Sequence, residues 1–291
     1  MKLLEIIQAS PSAKPNYIYT VAEIGINHNG DLEIAKQLIQ MAKNAGCDAV
    51  KLQKRDLELV YGSEVLDQPR ESPWGKTQRD QKQALEFGKD EYSVLRNLCY
   101  ELDIDFSSSA WDEKSLVFLD SFDLSFQKVA SALATKLDFV ESVASRKKIT
   151  LLSLGMCTLD QADAAMDMFK KYDCPVIPLH CVSTYPTPEA DLNLIQIQML
   201  RERYNTNVGY SGHEASVSPS VVAASLGATV IERHITLDRS MYGSDQAASL
   251  EKEGIESLVS VLRKVPMYFG SSQKIPNEGE MQVAKKLRYW E

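Results

Sequence analysis

The feature that most constrains the fold of this chain is a regular alternation of short apolar segments with longer amphipathic ones. Each apolar segment is followed by a helix-like segment, the first being Asp31–Ala45 and the last Lys252–Lys264. Alternation of this kind indicates βαβ units and a parallel sheet. The strand-like segments are Tyr17–Ile24, Ala49–Gln53, Ile104–Ser109, Phe126–Ser131, Ile149–Gly155, Val176–Cys181, Asn207–Ser211 and Val230–Thr236.

Eight such units in 291 residues predict an α/β fold, a single (β/α)8 TIM barrel, with its active site at the C-terminal rim of the strands. The main alternative is an open doubly wound sheet, but no GxGxxG motif follows the first strand. We expect an N-terminal extension over residues 1–16, the barrel over 17–270 and a polar tail over 271–291.

Two segments are too long to be simple connections between a strand and a helix. They are Lys54–Lys89 after the second strand and Leu237–Glu251 after the eighth. Loops of this length in a compact domain are commonly lids or binding loops. Both leave from strand C-termini, so we expect them above the same rim.

The bulk composition limits the partners of the chain. A formal net charge of −8 argues against a general nucleic-acid binder, which needs a basic stripe. No apolar stretch approaches the roughly 20 residues of a membrane helix, and the N-terminus is too short and too charged for a signal peptide. Five dispersed cysteines fit reduced thiols. We therefore expect a cytoplasmic protein with neither nucleic acid nor membrane as a partner.

All four histidines lie within a few residues of the C-terminal end of a strand-like segment, and histidine is well suited to metal ligation and to proton transfer. They are His28, His180, His213 and His234. His213 and His234 leave neighbouring strands and could share a divalent metal, while the last strand closes beside Glu23 on the first. A purely structural hydrogen-bonding role is the alternative for each histidine, and Asp245 nearby favours the functional one.

Two lysines and several serines lie at the same level of the predicted barrel. Lys51 and Lys128 end apolar strands, where a buried ammonium needs an anion. The serines are Ser109, Ser131, Ser153, Ser183 and Ser211. This set predicts a pocket for an anion with many oxygens, such as a phosphate ester. Salt bridges from the lysines to Glu23 or to loop acids, or a Schiff-base role, are the alternatives. Cys181 is expected to be core.

Several segments in order resemble the sialic acid synthase family, over roughly residues 17–288. The opening segment Ala22–Gly30 is similar to the first signature of that family. Later matches are Lys51–Gln53, His180–Pro188, Gly209–His213, Glu232–Asp238 and Gly243–Leu250. The resemblance implies a (β/α)8 barrel and a metal-dependent condensation of phosphoenolpyruvate with an open-chain aldose such as N-acetylmannosamine. The products would be a nonulosonic or related 3-deoxy-2-ulosonic acid and phosphate.

The resemblance also implies residue roles. His213 and His234 would hold a divalent metal, manganese first, with magnesium or cobalt as alternatives. Glu23 would be an acid/base or water-orienting group. Gln53, Tyr185 and Asp245 would face the sugar. The phosphoenolpyruvate site would be lined by Lys51, Ser109, Lys128, Ser131, Ser153, Ser183 and Ser211.

The sequence departs from the family pattern in three places. Glu280–Glu291 resembles the linker into a C-terminal antifreeze-like domain, and the sequence ends there, so a sugar contact would come from a partner or the sugar would differ. The loop Ser72–Arg79 differs from that of the N-acetylmannosamine enzymes. Gly212 stands where many relatives have an acid before the metal histidine.

Two other functions remain open from the sequence. A Schiff-base aldolase could use Lys128 on the same fold. A barrel that binds sugar without catalysis could serve in glycan assembly. The acceptor aldose and the oligomeric state are not determined, although a homodimer is one expectation.

Overall fold

The structure is a computed structural model that describes residues 2–290. Eight parallel strands form a closed barrel. They are β1 (Tyr19–Gly25), β2 (Ala49–Lys54), β3 (Asp105–Ala110), β4 (Gln127–Val129), β5 (Thr150–Ser153), β6 (Val176–Cys181), β7 (Val208–Gly212) and β8 (Ala228–His234). The predicted (β/α)8 fold is confirmed.

The barrel closes between its first and last strands, and this closure assembles the rim. Glu23 on β1 lies opposite His234 on β8 and opposite Lys51 on β2 in the strand register. Side chains that point inward from neighbouring strands share layers of the barrel interior. Residues more than 180 positions apart in sequence therefore meet at the C-terminal rim.

Helices of the outer ring separate the strands. They are Leu32–Ala45, Lys89–Glu101, Glu113–Leu119, Leu137–Ala144, Leu159–Lys171, Gln196–Tyr204, Ser218–Ser225 and Lys252–Leu262. Short 3₁₀ turns lie at Asp120–Phe122, Ser131–Leu133, Glu189–Asp191 and Gln246–Ala248. Within residues 2–290, no helix is long and apolar enough to cross a membrane.

Two apolar layers hold the fold together. The larger layer packs the outer faces of the strands against the inner faces of the helices. The smaller lies at the N-terminal end of the barrel, where Tyr19, Phe126 and Leu151 meet Leu3 and Ile6 of an N-terminal helix, Lys2–Gln8. Burial of this helix closes the end of the barrel opposite the rim.

The long segment after β2 is ordered into short elements. It contains helices Leu57–Val60, Ser63–Leu66 and Gln78–Ala84, and a hairpin of Pro69–Ser72 with Gly75–Thr77.

The loop after β8 meets this segment through Tyr242, whose ring lies 5.5 Å from that of Trp74 and whose hydroxyl accepts from Arg70 Nε at 3.2 Å. Two final helices, Val265–Tyr268 and Glu278–Leu287, follow the barrel, and the second has no buried residue.

Candidate active site

Two adjoining cavities open at the C-terminal ends of the strands, with volumes of about 170 and 260 Å³. Gln53, Trp111 and Tyr185 line both of them. The smaller cavity brings together nearly all the residues predicted from the sequence, namely Glu23, Lys51, Gln53, Ser109, Lys128, Ser131, Ser153, Ser183, Tyr185, Ser211, His213 and His234. Asp245 lines the larger one.

Four buried charges form the floor of the smaller cavity. Lys51 Nζ lies 2.6 Å from Glu23 Oε2 and 3.7 Å from Glu232 Oε1. Lys128 Nζ lies 3.1 Å from the same Glu232 oxygen. All four residues are at most 5% exposed, so each charge depends on its neighbours rather than on water. The ion pair of Lys51 with Glu23 was one of the alternatives left open by the sequence.

Each of these charged groups shifts the pKa of its neighbours. Burial raises the pKa of Glu23 and nearby Glu232 adds to this, although Lys51 opposes both. Burial lowers the pKa of Lys51, but the carboxylates of Glu23 and Glu232 outweigh it and raise that pKa. Burial lowers the pKa of Lys128 despite the charge of Glu232. A carboxyl with a raised pKa in a cleft is suited to proton transfer.

The hydrogen bonds of His213 fix its orientation. Its Nδ1 lies 2.8 Å from the carbonyl oxygen of Val182, which can only accept, so Nδ1 carries the proton. In the neutral ring Nε2 keeps its lone pair, the form in which histidine ligates metals. Burial lowers the pKa of His213, but the hydrogen bond and charge of Cys181 and the Val182 carbonyl outweigh it and raise that pKa. The ring of Tyr185 lies 4.1 Å from that of His213.

His234 is a neutral imidazole with an unused nitrogen. Burial, aided by the charge of Lys51, lowers its pKa to about 3 even though Asp245 opposes this. Its buried Nδ1 has no hydrogen-bond partner among the described residues, and Asp245 Oδ2 lies 3.9 Å away. The rings of His213 and His234 are 5.6 Å apart, so the predicted pair does meet.

The other two histidines stabilise loops. His28 stacks on Phe87 at 4.1 Å, and its Nδ1 accepts from the backbone N–H of Gly30. His180 Nε2 donates to the carbonyl of Leu192 at 2.7 Å. Neither lines the two cavities.

Serine hydroxyls approach one another around Gly155. The backbone N–H of Gly155 donates to Ser131 Oγ at 3.1 Å. A Cβ on Gly155 would lie only 2.4 Å from Ser183 Oγ and 2.8 Å from Ser131 Oγ, so glycine is needed for this close approach. Ser153 Oγ is buried and unpaired within residues 2–290. The group provides donors for a ligand with several oxygens.

Some lining residues were not identified from the sequence. Glu232 was overlooked, although two buried lysines signalled the need for an acid at an inward position. Trp111 follows β3 and gave no periodic signal. Cys181 is buried as predicted, but its Sγ lines the cavity, 3.8 Å from His213 Nδ1. This placement corrects the prediction of a purely core residue.

Gly212 has a steric explanation. A Cβ there would lie 2.6 Å from Glu214 Oε2 and 2.6 Å from Tyr210 Cε1. Glu214 itself is buried away from the cavity and paired with Arg233 Nη1 at 2.9 Å. The acid absent at 212 is therefore not replaced in the site by Glu214.

The fold and the site define a (β/α)8 barrel with lysines and serines beside paired imidazoles at its C-terminal rim. Residues 38–274 match the model of the NeuB family. The chain belongs to the NeuB family. This membership confirms the predicted resemblance and the predicted enzyme, a transferase that forms a carbon–carbon bond.

Individual relatives agree with this assignment. The chain is 39% identical to N-acetylneuraminate-9-phosphate synthase of Drosophila melanogaster over 93% of this chain and 72% of that one. It is 34% identical to N,N'-diacetyllegionaminic acid synthase of Legionella pneumophila, with 93% and 78% covered. A crystal structure of an N-acetylneuraminic acid synthetase from Leptospira borgpetersenii, in complex with citrate, matches with a TM-score of 0.83, 30% identity and 94% of each chain covered.

Proposed function

We propose that this enzyme condenses phosphoenolpyruvate with an open-chain aldose to give a nonulosonic or related 3-deoxy-2-ulosonic acid and phosphate. The observation that carries the proposal is the placement of Lys51 and Lys128 in one buried cavity with the imidazoles of His213 and His234. Family membership supports the condensation in general, because the matched relatives are synthases of such acids.

Phosphoenolpyruvate carries a phosphate and a carboxylate, which match the donors of the smaller cavity. Lys51 and Lys128 supply charge, while Ser131 and Ser183 supply directed hydrogen bonds and the N–H of Gly155 holds Ser131 Oγ in place. The two ammonium groups are held by Glu23 and Glu232. The anion pocket is therefore preorganised rather than formed on binding. Ser109, Ser153 and Ser211 complete the wall.

The residues present fit a divalent metal at His213 and His234. The lone pair on His213 Nε2 and the unpartnered Nδ1 of His234 are free for ligation. Between residues 2 and 290, no group of three or more histidine, cysteine or acidic side chains could hold a metal, so water or substrate oxygens would complete the coordination. We propose manganese. When bound, the ion polarises the aldehyde oxygen as a Lewis acid.

The reaction balances as two additions, of C3 to the aldehyde and of water to C2, and one elimination, of phosphate. The electron pair of the C2–C3 double bond of phosphoenolpyruvate forms the new bond from C3 to the aldehyde carbon. The aldehyde oxygen takes a proton and becomes a hydroxyl. Water adds to the cationic C2 and loses a proton. The resulting C2 hydroxyl then loses its own proton to form the ketone, while the bond from C2 to the bridging oxygen breaks and the phosphate leaves with that oxygen.

Glu23 is the residue best placed to act on C2 of phosphoenolpyruvate. Its Oε1 accepts from Gln53 Nε2 at 2.8 Å while its Oε2 faces Lys51, so the carboxyl is held from both sides. A fixed buried carboxylate stabilises the developing cation, and its raised pKa suits it to accept the proton of the attacking water. Gln53, Tyr185 and Asp245 face the adjoining cavity, where we place the rest of the aldose.

A single assay tests the proposal. Phosphate release is measured with phosphoenolpyruvate, manganese and a panel of aldoses, N-acetylated or not and phosphorylated or not. We expect release with at least one aldose and its loss in His213→Ala. His180→Gln is the matched control, because glutamine keeps an N–H donor for the Leu192 carbonyl while removing an imidazole outside the cavity. Release with no aldose would refute the synthase function.

The lowered pKa of Lys128 favours one second candidate, a Schiff-base aldolase. Reduction with borohydride in the presence of pyruvate distinguishes the condensation from the Schiff-base aldolase. The condensation leaves Lys128 unmodified, as judged by mass spectrometry of the digested protein. A stable adduct on Lys128, absent from Lys128→Met, would favour the aldolase instead.

A further inference from the structure

The larger cavity at the rim, of about 260 Å³, carries more positive charge than a neutral sugar requires. Three cations line it, Arg55, Arg70 and Lys82. We propose that they bind a phosphate monoester on the aldose, so that the acceptor is a phosphorylated open-chain sugar. This inference rests on the proposed condensation and names the substrate class of the same site.

The acids that line the cavity neutralise these cations only in part, because Glu86 is shared between two of the chain's cations. Glu86 is already paired with Lys54 Nζ at 3.0 Å and lies 3.8 Å from Arg55 Nη1. Asp245 lies beside His234. Neither Arg70 nor Lys82 has a carboxylate within ion-pair distance in the part of the chain that the structure describes. Burial and the charges of Arg55 and Arg70 lower the pKa of Lys82, a sign of uncompensated positive charge.

Neutral groups contact each of the three cations. The Arg55 guanidinium lies 4.2 Å from the centre of the Trp111 ring, and Lys82 Nζ lies 4.2 Å from that of Tyr61. Arg70 Nε donates to the Tyr242 hydroxyl. Aromatic faces and a hydroxyl orient a cation without cancelling its charge, which leaves it available to an anionic ligand.

Unpartnered donors independently indicate a ligand. Arg55 Nε and Trp111 Nε1 are buried without a hydrogen-bond partner among residues 2–290. A buried donor left unpaired is costly, so such groups commonly meet an acceptor when the site is filled. Buried Gln81 adds an acceptor, Oε1, that is likewise unpaired and fits a sugar hydroxyl.

The position of the cavity orients the acceptor. Gln53, Trp111 and Tyr185 join it to the smaller cavity, where the aldehyde must meet phosphoenolpyruvate beside the imidazoles. The phosphate therefore lies on the part of the sugar chain away from the aldehyde. The relatives are named for both kinds of product, one with a phosphate and one without. The three cations favour a phosphorylated product for this chain.

Equilibrium binding, which needs no turnover, is the first test. Calorimetry compares N-acetylmannosamine 6-phosphate with N-acetylmannosamine on the whole chain, without phosphoenolpyruvate. We expect the phosphate to tighten binding about 100-fold, and Arg70→Gln and Lys82→Gln each to remove about 10-fold of that gain, in line with hydrogen bonds to charged groups. Lys76→Gln is the matched control, an exposed lysine of the same loop outside the cavity.

Turnover is the second test, followed by consumption of phosphoenolpyruvate. We expect Arg70→Gln and Lys82→Gln to raise the KM of the phosphorylated sugar and leave the KM of phosphoenolpyruvate unchanged. Equal binding of the two sugars, or a preference that survives both substitutions, overturns the inference. Phosphate-dependent binding lost in Arg70→Gln, but with no turnover of either sugar, supports the anion site and counts against the condensation alone.

Discussion

At the residue scale, Glu232 is the side chain on which the site depends most. One of its oxygens lies within 3.7 Å of Lys51 Nζ and 3.1 Å of Lys128 Nζ, and the Ser211 hydroxyl donates to it at 3.3 Å. Two ammonium groups so close together and hidden from water would repel each other strongly without this carboxylate. Glu232 therefore holds both ammonium groups beside each other at the cavity.

Replacement of Glu232 tests this role. We expect Glu232→Gln to lower the free energy of unfolding by about 3 kcal/mol, because two buried cations lose their shared partner. Added phosphoenolpyruvate should supply the missing negative charge and raise the Tm of the variant more than that of the wild type. Urea titration and thermal denaturation with and without the ligand measure both effects.

Glu141→Gln is the comparison, since Glu141 pairs with Lys171 at an exposed site where an ion pair contributes little. If phosphoenolpyruvate raised the Tm of Glu232→Gln no more than that of the wild type, the lysines would not form its binding site.

The sequence identified the chemistry of single residues better than their pairing. Lysines and serines at strand ends predicted an anion pocket, and His213 and His234 do meet. Which carboxylate balances which lysine depends on inward side chains of strands far apart in sequence, and the apolar pattern of β8 did not distinguish Glu232 from its neighbours. The cations Arg70 and Lys82 were missed because they lie on loop elements without strand or helix periodicity.

At the element scale, the N-terminal helix Lys2–Gln8 is attached to the barrel through Asp48. This carboxylate accepts from Lys2 Nζ at 2.8 Å, from the Tyr17 hydroxyl at 2.5 Å and from Arg263 Nη2 at 2.8 Å. The same residue accepts from the backbone N–H of Thr20 on β1. One side chain thereby joins the N-terminal helix, the first strand and the last helix of the ring.

Asp48 makes the free energy of unfolding depend on pH. Burial raises its pKa, but the hydrogen bonds from Lys2 and Tyr17 and the charge of Arg263 outweigh this and lower it. Its contribution is therefore fully present above the unfolded pKa of about 3.9 and is lost as the pH falls through the lower folded pKa. We expect Asp48→Asn to cost about 2 kcal/mol at neutral pH and progressively less as the pH falls below the unfolded pKa and through the lowered folded pKa.

Urea titrations at neutral and acid pH measure this difference. Asp31→Asn is the comparison, because asparagine is as good a helix N-cap as aspartate. A loss of stability for Asp48→Asn that stayed constant with pH would contradict an ionic role for Asp48.

The elements themselves were predictable to different degrees. Strands such as Val176–Cys181 and helices such as Leu159–Lys171 agree with the sequence pattern, since burial on the sheet enforces it. The N-terminal helix was expected only as an extension, because seven residues give too little periodicity. The hairpin at 69–77 was likewise missed inside a polar loop, where turn residues and not burial determine the structure.

At the scale of the whole molecule, closure of the barrel brings residues from the two ends of the sequence into one site. Strands β1 and β8 meet only because all eight units are present, and their register brings Glu23 beside His234. A depression of about 800 Å³ at the opposite end is larger, but several of its charges already pair with one another, among them Asp48 with Arg263. Cavity volume alone would therefore point to the wrong end of the barrel. The rim is identified as the site because imidazoles, lysines and unpaired polar atoms converge there.

The most direct test of the condensation follows oxygen atoms through the reaction. With phosphoenolpyruvate, the accepted aldose and manganese in ¹⁸O-labelled water, the mechanism adds solvent oxygen at C2 and breaks the C2–O bond. The phosphate released should then carry only oxygens of phosphoenolpyruvate, as read by ³¹P NMR, while the quenched product carries the label at C2. One ¹⁸O in the phosphate would mean cleavage of the P–O bond instead and would contradict the account.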